Sequence, residues 1–568
     1  MICASIGSQK SPEVLNLEQN RHIKVFHMKL KFNQSFLYIT FSILLVFVVI
    51  SQFKSIPGPP YGGDLYFHNG IAEAIFHGTF PFKDPINYEG YAFYPWLYHL
   101  IVSLLGWVFG DVMRVTVYVM PLVILILSMM VLYHLLSEMS SKIITPLAFL
   151  LPLAFSFPDP HPHTFLFLVC LPLFYYSLVR YLKNPSVRNG ALLGLSWAIS
   201  GLTHVLGIFG IGAIILANVV WDAIEMRNVR TAIKRWILPF MVAILISSIY
   251  WVPLIIKYRA KTPNPYQSLV WGHYTIVDFT VDIATFFIFD SWKVILSLLA
   301  LGGFYVIVKY KPQPISRIVF SSIAGLYILG VFFILVGDPL IAAKTTLYFP
   351  TLTILLISES ISYFALNVSN SSRVLIAISI ILMALSGNTI LEFMSNPWTQ
   401  NGVREFPFLE LREWIFTNTN NDDVILSNYE SSFMLFSISG RKTVIFRRTH
   451  ASPFVDYNNR SAEIMVALWG DNITNSLKIL KRYRVKYVYI DEISSKDPLW
   501  VPISYREYLE SNGVPCHVEQ VRYDPADPRS VKIEACVVDF NVSKIAPYLE
   551  KVFEKGSSKM FRVVYPGS

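Results

Sequence analysis

Long apolar segments recur along the first two-thirds of the chain and constrain its fold more than any other feature of the sequence. A helix needs about 20 apolar residues to cross the hydrocarbon core of a bilayer. Only 15% of the 568 residues are charged, whereas soluble domains carry about 25%. The sequence therefore predicts a polytopic α-helical membrane protein. Its candidate spans lie near 35–53, 112–136, 143–157, 165–182, 236–255, 292–309, 318–336, 345–365 and 374–392.

One apolar segment, 190–222, is too long for a single span, because 33 residues would form a helix of about 50 Å. Basic residues flank both of its ends, and basic flanks favour the cytoplasmic side. We therefore predict a tight hairpin of two short helices with His204 at its tip. The hairpin brings the expected total to about 11 spans. The stretch 94–110 is also apolar, but we predict that it lies along the membrane surface as an interfacial helix.

The formal net charge of +9 is concentrated in the first 394 residues, while acidic and basic residues nearly balance after that point. Lys and Arg gather in the loops that this topology places inside, and most Asp residues of this half fall outside. The charge therefore indicates orientation rather than nucleic-acid binding. We predict a plasma-membrane protein with its domains in the following order: a cytoplasmic segment 1–33, a transmembrane domain 34–394 with external loops 54–111 and 157–164, and an extracytoplasmic domain 395–568.

The C-terminal part has the alternating pattern of a small α/β domain. Two cysteines, Cys516 and Cys536, each lie ten residues from Ala526, the centre of a predicted hairpin turn. In simple antiparallel register they face each other, so they form either a disulfide or two buried thiols. We predict helices near 405–417, 456–469, 474–484, 503–511 and 545–554, and strands near 423–427, 442–446, 486–490, 516–523, 531–539 and 560–565.

Polar side chains with catalytic potential gather in the two external loops rather than inside the spans. Asp64 and His68 are four positions apart, so they share one face if a helix begins at Asp64. The simpler alternative is that Asp64 only caps that helix. Glu89 lies later in the same loop as a supporting group. This distribution favours chemistry at the membrane surface over transport, which usually requires ionisable groups near the midplane.

The second external loop alternates prolines with Asp159, His161 and His163. Proline holds a backbone extended, so these side chains are expected to point the same way. One carboxylate and two imidazoles could bind a divalent metal, Mg or Mn, although a polar turn at headgroup level is the alternative. Two further candidates are His204, a ligand or a packed polar residue, and Lys344, which could meet a phosphate or extend towards the interface.

Together these features resemble a known family. A long first external loop opens with Asp64 and His68 and closes with a Tyr-Pro-Trp-Leu-Tyr-His motif at 94–99, and a short acidic second loop follows. With many spans and an external α/β tail, the layout resembles the GT-C superfamily of integral-membrane glycosyltransferases, which use polyprenyl-phosphate-linked sugars. Dolichyl-phosphate-mannose transferases and oligosaccharyltransferase catalytic subunits belong to it.

The resemblance implies roles for individual residues. Asp64 matches the first-loop acid, which activates the acceptor or binds metal, and Asp159 with His161 takes the place of the second-loop acidic pair. Lys344 lies where many members carry an arginine near the lipid phosphate, and Thr203-His204 is similar to an element of their hairpins. The Trp-Trp-Asp-Tyr-Gly motif of oligosaccharyltransferases is replaced here by 426–432, so we do not expect protein N-glycosylation.

The expected function is therefore transfer of a sugar from a polyprenyl-phosphate-linked donor to a lipid, glycan or protein acceptor at the outer membrane face. Membrane lipids are the other expected partners, and nucleic acid is not one. A polymerase or ligase that uses a lipid-diphosphate donor is the alternative enzyme. A non-catalytic membrane receptor with a ligand-binding external domain is the alternative outside enzymes.

Overall fold

The computed structural model describes residues 63–88, 90–139, 145–155, 159–259, 263, 273–285, 294–367, 371–395, 408–494, 496–523 and 531–566. The first predicted span at 35–53 and Glu89 lie outside these described residues. The helical region has these helices: α1 Gly63–Phe76, α2 Leu97–Phe109, α3 Val112–Met139, α4 Leu151–Phe155, α5 Pro162–Lys183, α6 Val187–Thr203, α7 Val205–Met226, α8 Val229–Tyr258, α9 Ile276–Thr285, α10 Val294–Tyr310, α11 Ile315–Leu335, α12 Pro339–Asn367 and α13 Ser371–Ser395.

Six of these helices, α3, α5, α7, α8, α11 and α12, are long and apolar enough to cross a membrane. Their outward side chains are apolar as well; Leu245 and Ile256 on α8 are 74% and 73% exposed. Lipid is the solvent that such a surface needs, so the chain is a membrane protein. The prediction of about 11 spans is not confirmed, because the described residues contain six.

The segment 190–222 is split into α6 and α7 at His204, whose backbone is extended. The His204 side chain caps α7, since its Nδ1 accepts a hydrogen bond of 3.1 Å from the Leu206 amide. Gly207 permits the tight turn: a Cβ there would lie 2.1 Å from the Ser200 carbonyl oxygen. The hairpin expected from the basic flanks thus has a capped break at its tip.

Helix α2 corresponds to the predicted interfacial stretch. It exposes Trp107, Val108 and Phe109 and buries Tyr98 and His99. One side of this 13-residue helix therefore packs on the protein while its C-terminal end presents apolar side chains outward. Its position at the membrane surface stays a prediction.

One end of the helical region holds a buried group of charged side chains. Asp222 of α7 is fully buried and pairs with Arg317 of α11 at 2.7 Å and with Arg235 of α8 at 3.3 Å. The indole Nε1 of Trp236 donates to the second carboxylate oxygen at 2.8 Å. These contacts, which we call the Asp222 cluster, join three helices.

The α/β region begins at α14. Strands β2, β1 and β3 are parallel, β8 and β7 extend the same sheet antiparallel, and β4, β6 and β5 form a second, antiparallel sheet. Its helices and strands are α14 Leu409–Asn418, β1 Val424–Leu426, α15 Tyr429–Ser439, β2 Lys442–Thr443, α16 Tyr457–Trp469, α17 Ile473–Arg482, β3 Val485–Ile490, β4 Leu499–Pro502, α18 Arg506–Glu510, β5 His517–Arg522, β6 Lys532–Val538, β7 Leu549–Lys555 and β8 Ser558–Val563.

Three details of this region differ from the expectation. The helix predicted near 545–554 is wrong: a 3-10 turn that contains Pro547 leads into β7, because proline removes the amide that a longer helix would need. Gly556, at φ +57°, then closes the hairpin with β8. Helix α15 and strand β4 were not expected. All residues of α15 except Glu430 are buried, so it shows no amphipathic period.

Cys516 and Cys536 are joined by a disulfide with Cα atoms 4.8 Å apart. The register differs from the simple one by two residues, because Val518 is the residue that lies opposite Cys536. Cys516 therefore reaches its partner diagonally from just before β5. The turn at 524–530 lies outside the described residues.

The α/β region packs directly on α1. Gly70 of α1 meets Phe436 of α15 so closely that a Cβ at Gly70 would lie 2.5 Å from the ring. Asn69 donates to the Ser437 carbonyl at 2.8 Å, and Arg412 pairs with the buried Glu73 at 2.6 Å. These contacts bring the α/β region next to the N-terminus of α1, where Asp64 lies.

Candidate active site

The structure brings together most of the polar residues singled out from the sequence. They come from the start of α1, the segment before α5, the first turn of α5 and the first turns of α12. The charge of Asp64 acts on His68, His161, His163 and Lys344. We call this group the polar cluster: Asp64, His68, Asp159, His161, His163 and Lys344.

Asp64 is the most accessible acid of α1, with 57% of its side chain exposed. Its Oδ1 accepts a hydrogen bond of 2.8 Å from Nε2 of His450 in the α/β region. Partial burial alone would raise the pKa of Asp64, but the hydrogen bond and charge of His450, with the charge of Lys344, lower the pKa strongly. The carboxylate is therefore ionised at any physiological pH and is a good partner for cations and hydroxyl groups.

The second loop forms a compact group of possible metal ligands. One ligand atom from each of Asp159, His161 and His163 lies within 4.8 Å of the others. Nδ1 of His161 is 3.1 Å from Oδ1 of Asp159, and the two imidazole rings stack with centroids 5.0 Å apart. The extended backbone expected here ends early, because α5 begins at Pro162 and holds His163 in its first turn.

Electrostatics in this group support a cation site. Burial opposes ionisation of Asp159, yet the hydrogen bond and charge of His161 and the hydrogen bond from Thr164 lower the pKa of Asp159 to about 2. The pKa of His161 is raised: burial lowers it, but Asp159 and Asp64 outweigh that effect. A net negative field from two carboxylates thus surrounds the imidazole, and a divalent ion would be stabilised by the same field.

His68 is buried behind Asp64 and contacts a histidine to which the sequence assigned no role. Nδ1 of His68 lies 3.0 Å from Nε2 of His99. Burial lowers the pKa of His68 well below its usual value, so its imidazole is neutral. Tyr94 packs its ring 4.9 Å from His68 and 5.6 Å from His204. His204 therefore supports the site through this packing and through its cap on α7.

Lys344 is the cation of the cluster. It lies in the first turns of α12, is exposed, and its charge acts on Asp64, His163 and His204. Its ammonium and the carboxylate of Asp64 therefore act on each other at an exposed part of the cluster. Asp159, like Asp64, is more than half exposed, at 54%.

Sequence reasoning missed His450. It lies in a 3-10 turn, Arg448–His450, between β2 and α16. No motif marks it, and its contact with Asp64 spans 386 positions. His99 was visible in the Tyr-Pro-Trp-Leu-Tyr-His motif, but only the fold reveals its contact with His68.

No protein-family model matches this chain, and no curated protein matches it. Solved structures do match, at 11–14% identity. For arabinofuranosyltransferase AftD from Mycobacteria the TM-score is 0.50 at 12% identity, over 93% of this chain and 40% of AftD, so the chain spans less than half of AftD. The Archaeoglobus fulgidus oligosaccharyltransferase, in a complex with Zn and sulfate, aligns over 90% of this chain and 79% of its own, at 13% identity and TM-score 0.48.

ArnT from Cupriavidus metallidurans, bound to undecaprenyl phosphate, aligns over 89% of this chain and 98% of its own, with 11% identity and a TM-score of 0.41. All three structural neighbours are GT-C glycosyltransferases. The likeness concerns the fold alone, and the match to AftD fits the GT-C-like layout expected from the sequence.

Proposed function

We propose that the protein transfers a sugar from a polyprenyl-phosphate-linked donor to an acceptor hydroxyl at the outer membrane face. The observation that carries the proposal is the polar cluster. Two accessible carboxylates, three imidazoles and one accessible ammonium act on one another at the end of an apolar helical region. A lipid-linked phosphate needs this combination: a cation for its anionic head beside an apolar surface for its chain.

Each reacting group has a candidate partner. The acceptor oxygen attacks the anomeric carbon of the sugar, the bond from that carbon to the phosphate oxygen breaks, and the lipid phosphate leaves with the electron pair. Lys344 stabilises the charge that develops on the phosphate. Asp64 accepts a hydrogen bond from the attacking hydroxyl, which orients it and gives its proton a path away. Because the pKa of Asp64 is strongly lowered, we assign it mainly to orientation.

The residues Asp159, His161 and His163 fit a divalent metal. Their atoms are close enough for one ion, and the field of two carboxylates favours it. Two imidazoles and one carboxylate suit Zn²⁺ or a similar imidazole-binding ion better than Mg²⁺ or Mn²⁺, the ions expected from the sequence. A bound ion would act as a Lewis acid towards the phosphate oxygens.

The membrane orientation belongs to the same proposal. We place segment 1–33 in the cytoplasm, 34–394 in the plasma membrane and 395–568 outside. The disulfide between Cys516 and Cys536 supports an oxidising compartment for the α/β region. Alkylation of intact cells with a membrane-impermeant maleimide, before and after mild reduction, tests this: new labelling of the two cysteines after reduction is expected.

The central experiment assays the purified full chain in detergent with a panel of polyprenyl-phosphate-linked hexoses and pentoses, and measures release of polyprenyl phosphate. Turnover of at least one of these monophosphate donors supports the proposal. Turnover restricted to polyprenyl-diphosphate-linked sugars would support the polymerase or ligase alternative. Saturable binding of a donor or glycan with no turnover would support the receptor alternative.

Elemental analysis tests the metal site separately. We expect about one divalent ion per chain, lost when His161 and His163 are both changed to Ala and retained when the distant, exposed His517 is changed to Ala. If chelation strips the ion without changing turnover, or if no ion is present, phosphate stabilisation falls to Lys344 alone. Both results leave the donor assay informative.

A further inference from the structure

The α/β region supplies a side chain that contacts Asp64 directly. Nε2 of His450 lies 2.8 Å from Oδ1 of Asp64. An ionised carboxylate accepts hydrogen bonds and cannot donate them, so Nε2 carries the hydrogen and donates. Nδ1 of the same ring lies 2.7 Å from Oγ1 of Thr449. Both ring nitrogens therefore have a partner.

The turn that carries His450 is held by two arginines. The guanidinium of Arg447 lies 3.7 Å above the centroid of the Phe433 ring. Arg448 is buried, lies 3.8 Å above the Trp500 ring and donates to the Trp500 carbonyl at 2.7 Å. The position of His450 is thus set by the core of the α/β region rather than by α1.

Aromatic side chains from both halves of the protein fix the ring itself. Phe67 of α1 lies 5.3 Å from the His450 ring and Phe433 of α15 lies 5.1 Å from it. Only 13% of the His450 side chain is exposed. A histidine enclosed in this way has few alternative rotamers, so its hydrogen bond holds the carboxylate in one orientation.

We propose that His450 is a positioning residue for Asp64. By occupying Oδ1 it fixes the rotation of the carboxylate and leaves Oδ2, which has no hydrogen-bond partner among the described residues, for the acceptor hydroxyl. The site is then complete only when the α/β region is docked on α1. This inference rests on the proposed function, in which Asp64 orients the acceptor.

The test compares two variants of one position in the full chain. His450→Leu removes the donor, and His450→Gln keeps an N–H donor at similar reach. We expect Leu to lower kcat about 10- to 100-fold, because a misplaced catalytic group costs that much, while KM for the donor stays within about threefold. Gln is expected to recover most of kcat. His517→Leu, on the exposed strand β5, is the matched control and is expected to have no effect.

Three results would overturn the proposal: a Leu variant with kcat within about twofold of wild type, a Gln variant that folds normally but is as slow as Leu, or a rise in KM that accounts for the whole loss. If the wild type has no turnover with any donor, the proposed function fails and the contact is still testable. The melting temperatures of Asp64→Asn, His450→Leu and the double variant then form a cycle, and strictly additive losses would exclude a coupling between the two side chains.

Discussion

The polar cluster and the Asp222 cluster both place charges against an apolar helical region, but their acids differ in burial and in the number of partners. In the Asp222 cluster the acid is fully buried, and each carboxylate oxygen meets an arginine, an indole or both. In the polar cluster Asp64 is more than half exposed, and only one of its oxygens has a hydrogen-bond partner among the described residues. About 18 residues of α7, roughly 27 Å of helix, separate Asp222 from the hairpin tip at His204.

The difference teaches how to separate structural charges from reactive ones in such a protein. A buried charge whose partners are all protein groups has no capacity left for a ligand, so its removal costs stability. An accessible charge with an open oxygen costs little stability and keeps its capacity for substrate. The four predictions below test this division, beginning with the largest expected effect.

Asp64→Asn should lower turnover about 1,000-fold, because the amide NH2 would stand where Oδ2 accepts from the acceptor hydroxyl, and an amide does not attract the cations around it. Its melting temperature should move by only a few degrees, since the amide oxygen can still accept from His450. Steady-state kinetics and a thermal melt of the same preparation measure both. If turnover survives, Asp64 is not the catalytic acid of the polar cluster.

Asp222→Ala should do the reverse and destabilise the protein by about 3–5 kcal/mol, because Arg317 and Arg235 would be left in an apolar setting without their carboxylate. The yield of folded protein and its thermal stability in detergent are the measurements. Glu225→Ala is the control: Glu225 is 66% exposed and lies 3.7 Å from the same Arg317. Equal stability losses in both variants would contradict the distinction between buried structural charges and accessible ones.

Lys344→Met should lower kcat/KM for the lipid-linked donor about 10- to 100-fold, the loss expected for one charge-assisted hydrogen bond to phosphate. Lys344→Arg should recover part of it, since charge is kept and geometry changes. Donor titrations of these variants and of Lys309→Met, an exposed lysine at the end of α10, provide the measurement. A loss confined to kcat would mean that Lys344 acts on the reaction after the donor has bound.

Asp497→Asn should give the smallest effect, a pH-dependent gain of a few degrees in melting temperature. Burial and the neighbouring charge of Glu430 raise the pKa of Asp497 to about 7. The folded state therefore holds a proton that the unfolded state has lost, so stability falls as pH rises from about 4 through 7. Asn removes this fall, and the gain should appear at pH 8 and be absent near pH 4. Glu492→Gln, an exposed acid in the same loop, should show no such gain.

Much of the helical region could be predicted because its signals are local. The length of the apolar segments predicted the long helices. The excessive length of segment 190–222 and the basic residues at its ends predicted the break at His204. The proximity of Asp159, His161 and His163 was predictable from their spacing, although the extended-loop argument for it was wrong in part. The roles assigned to these residues stay predictions.

The rest could not be predicted because it depends on distant contacts. Helix α15 is buried on every side, so its sequence has no amphipathic stripe to reveal it. His450 contacts Asp64 only because α15 packs on α1. No sequence pattern near either residue predicts this contact. The Asp222 cluster was missed for a similar reason: its acid and its arginines come from three separate helices.

The long separation between Asp64 and His450 also sets an order of events during biosynthesis. A ribosome adds about 5–20 residues per second, so about 20–80 s pass between synthesis of α1 and synthesis of the turn that carries His450. Until Phe436 has been synthesised, Gly70 of α1 lacks the aromatic ring that packs against it in the folded protein. A nascent chain that has already made α1 therefore contains Asp64 before His450 can hold its carboxylate.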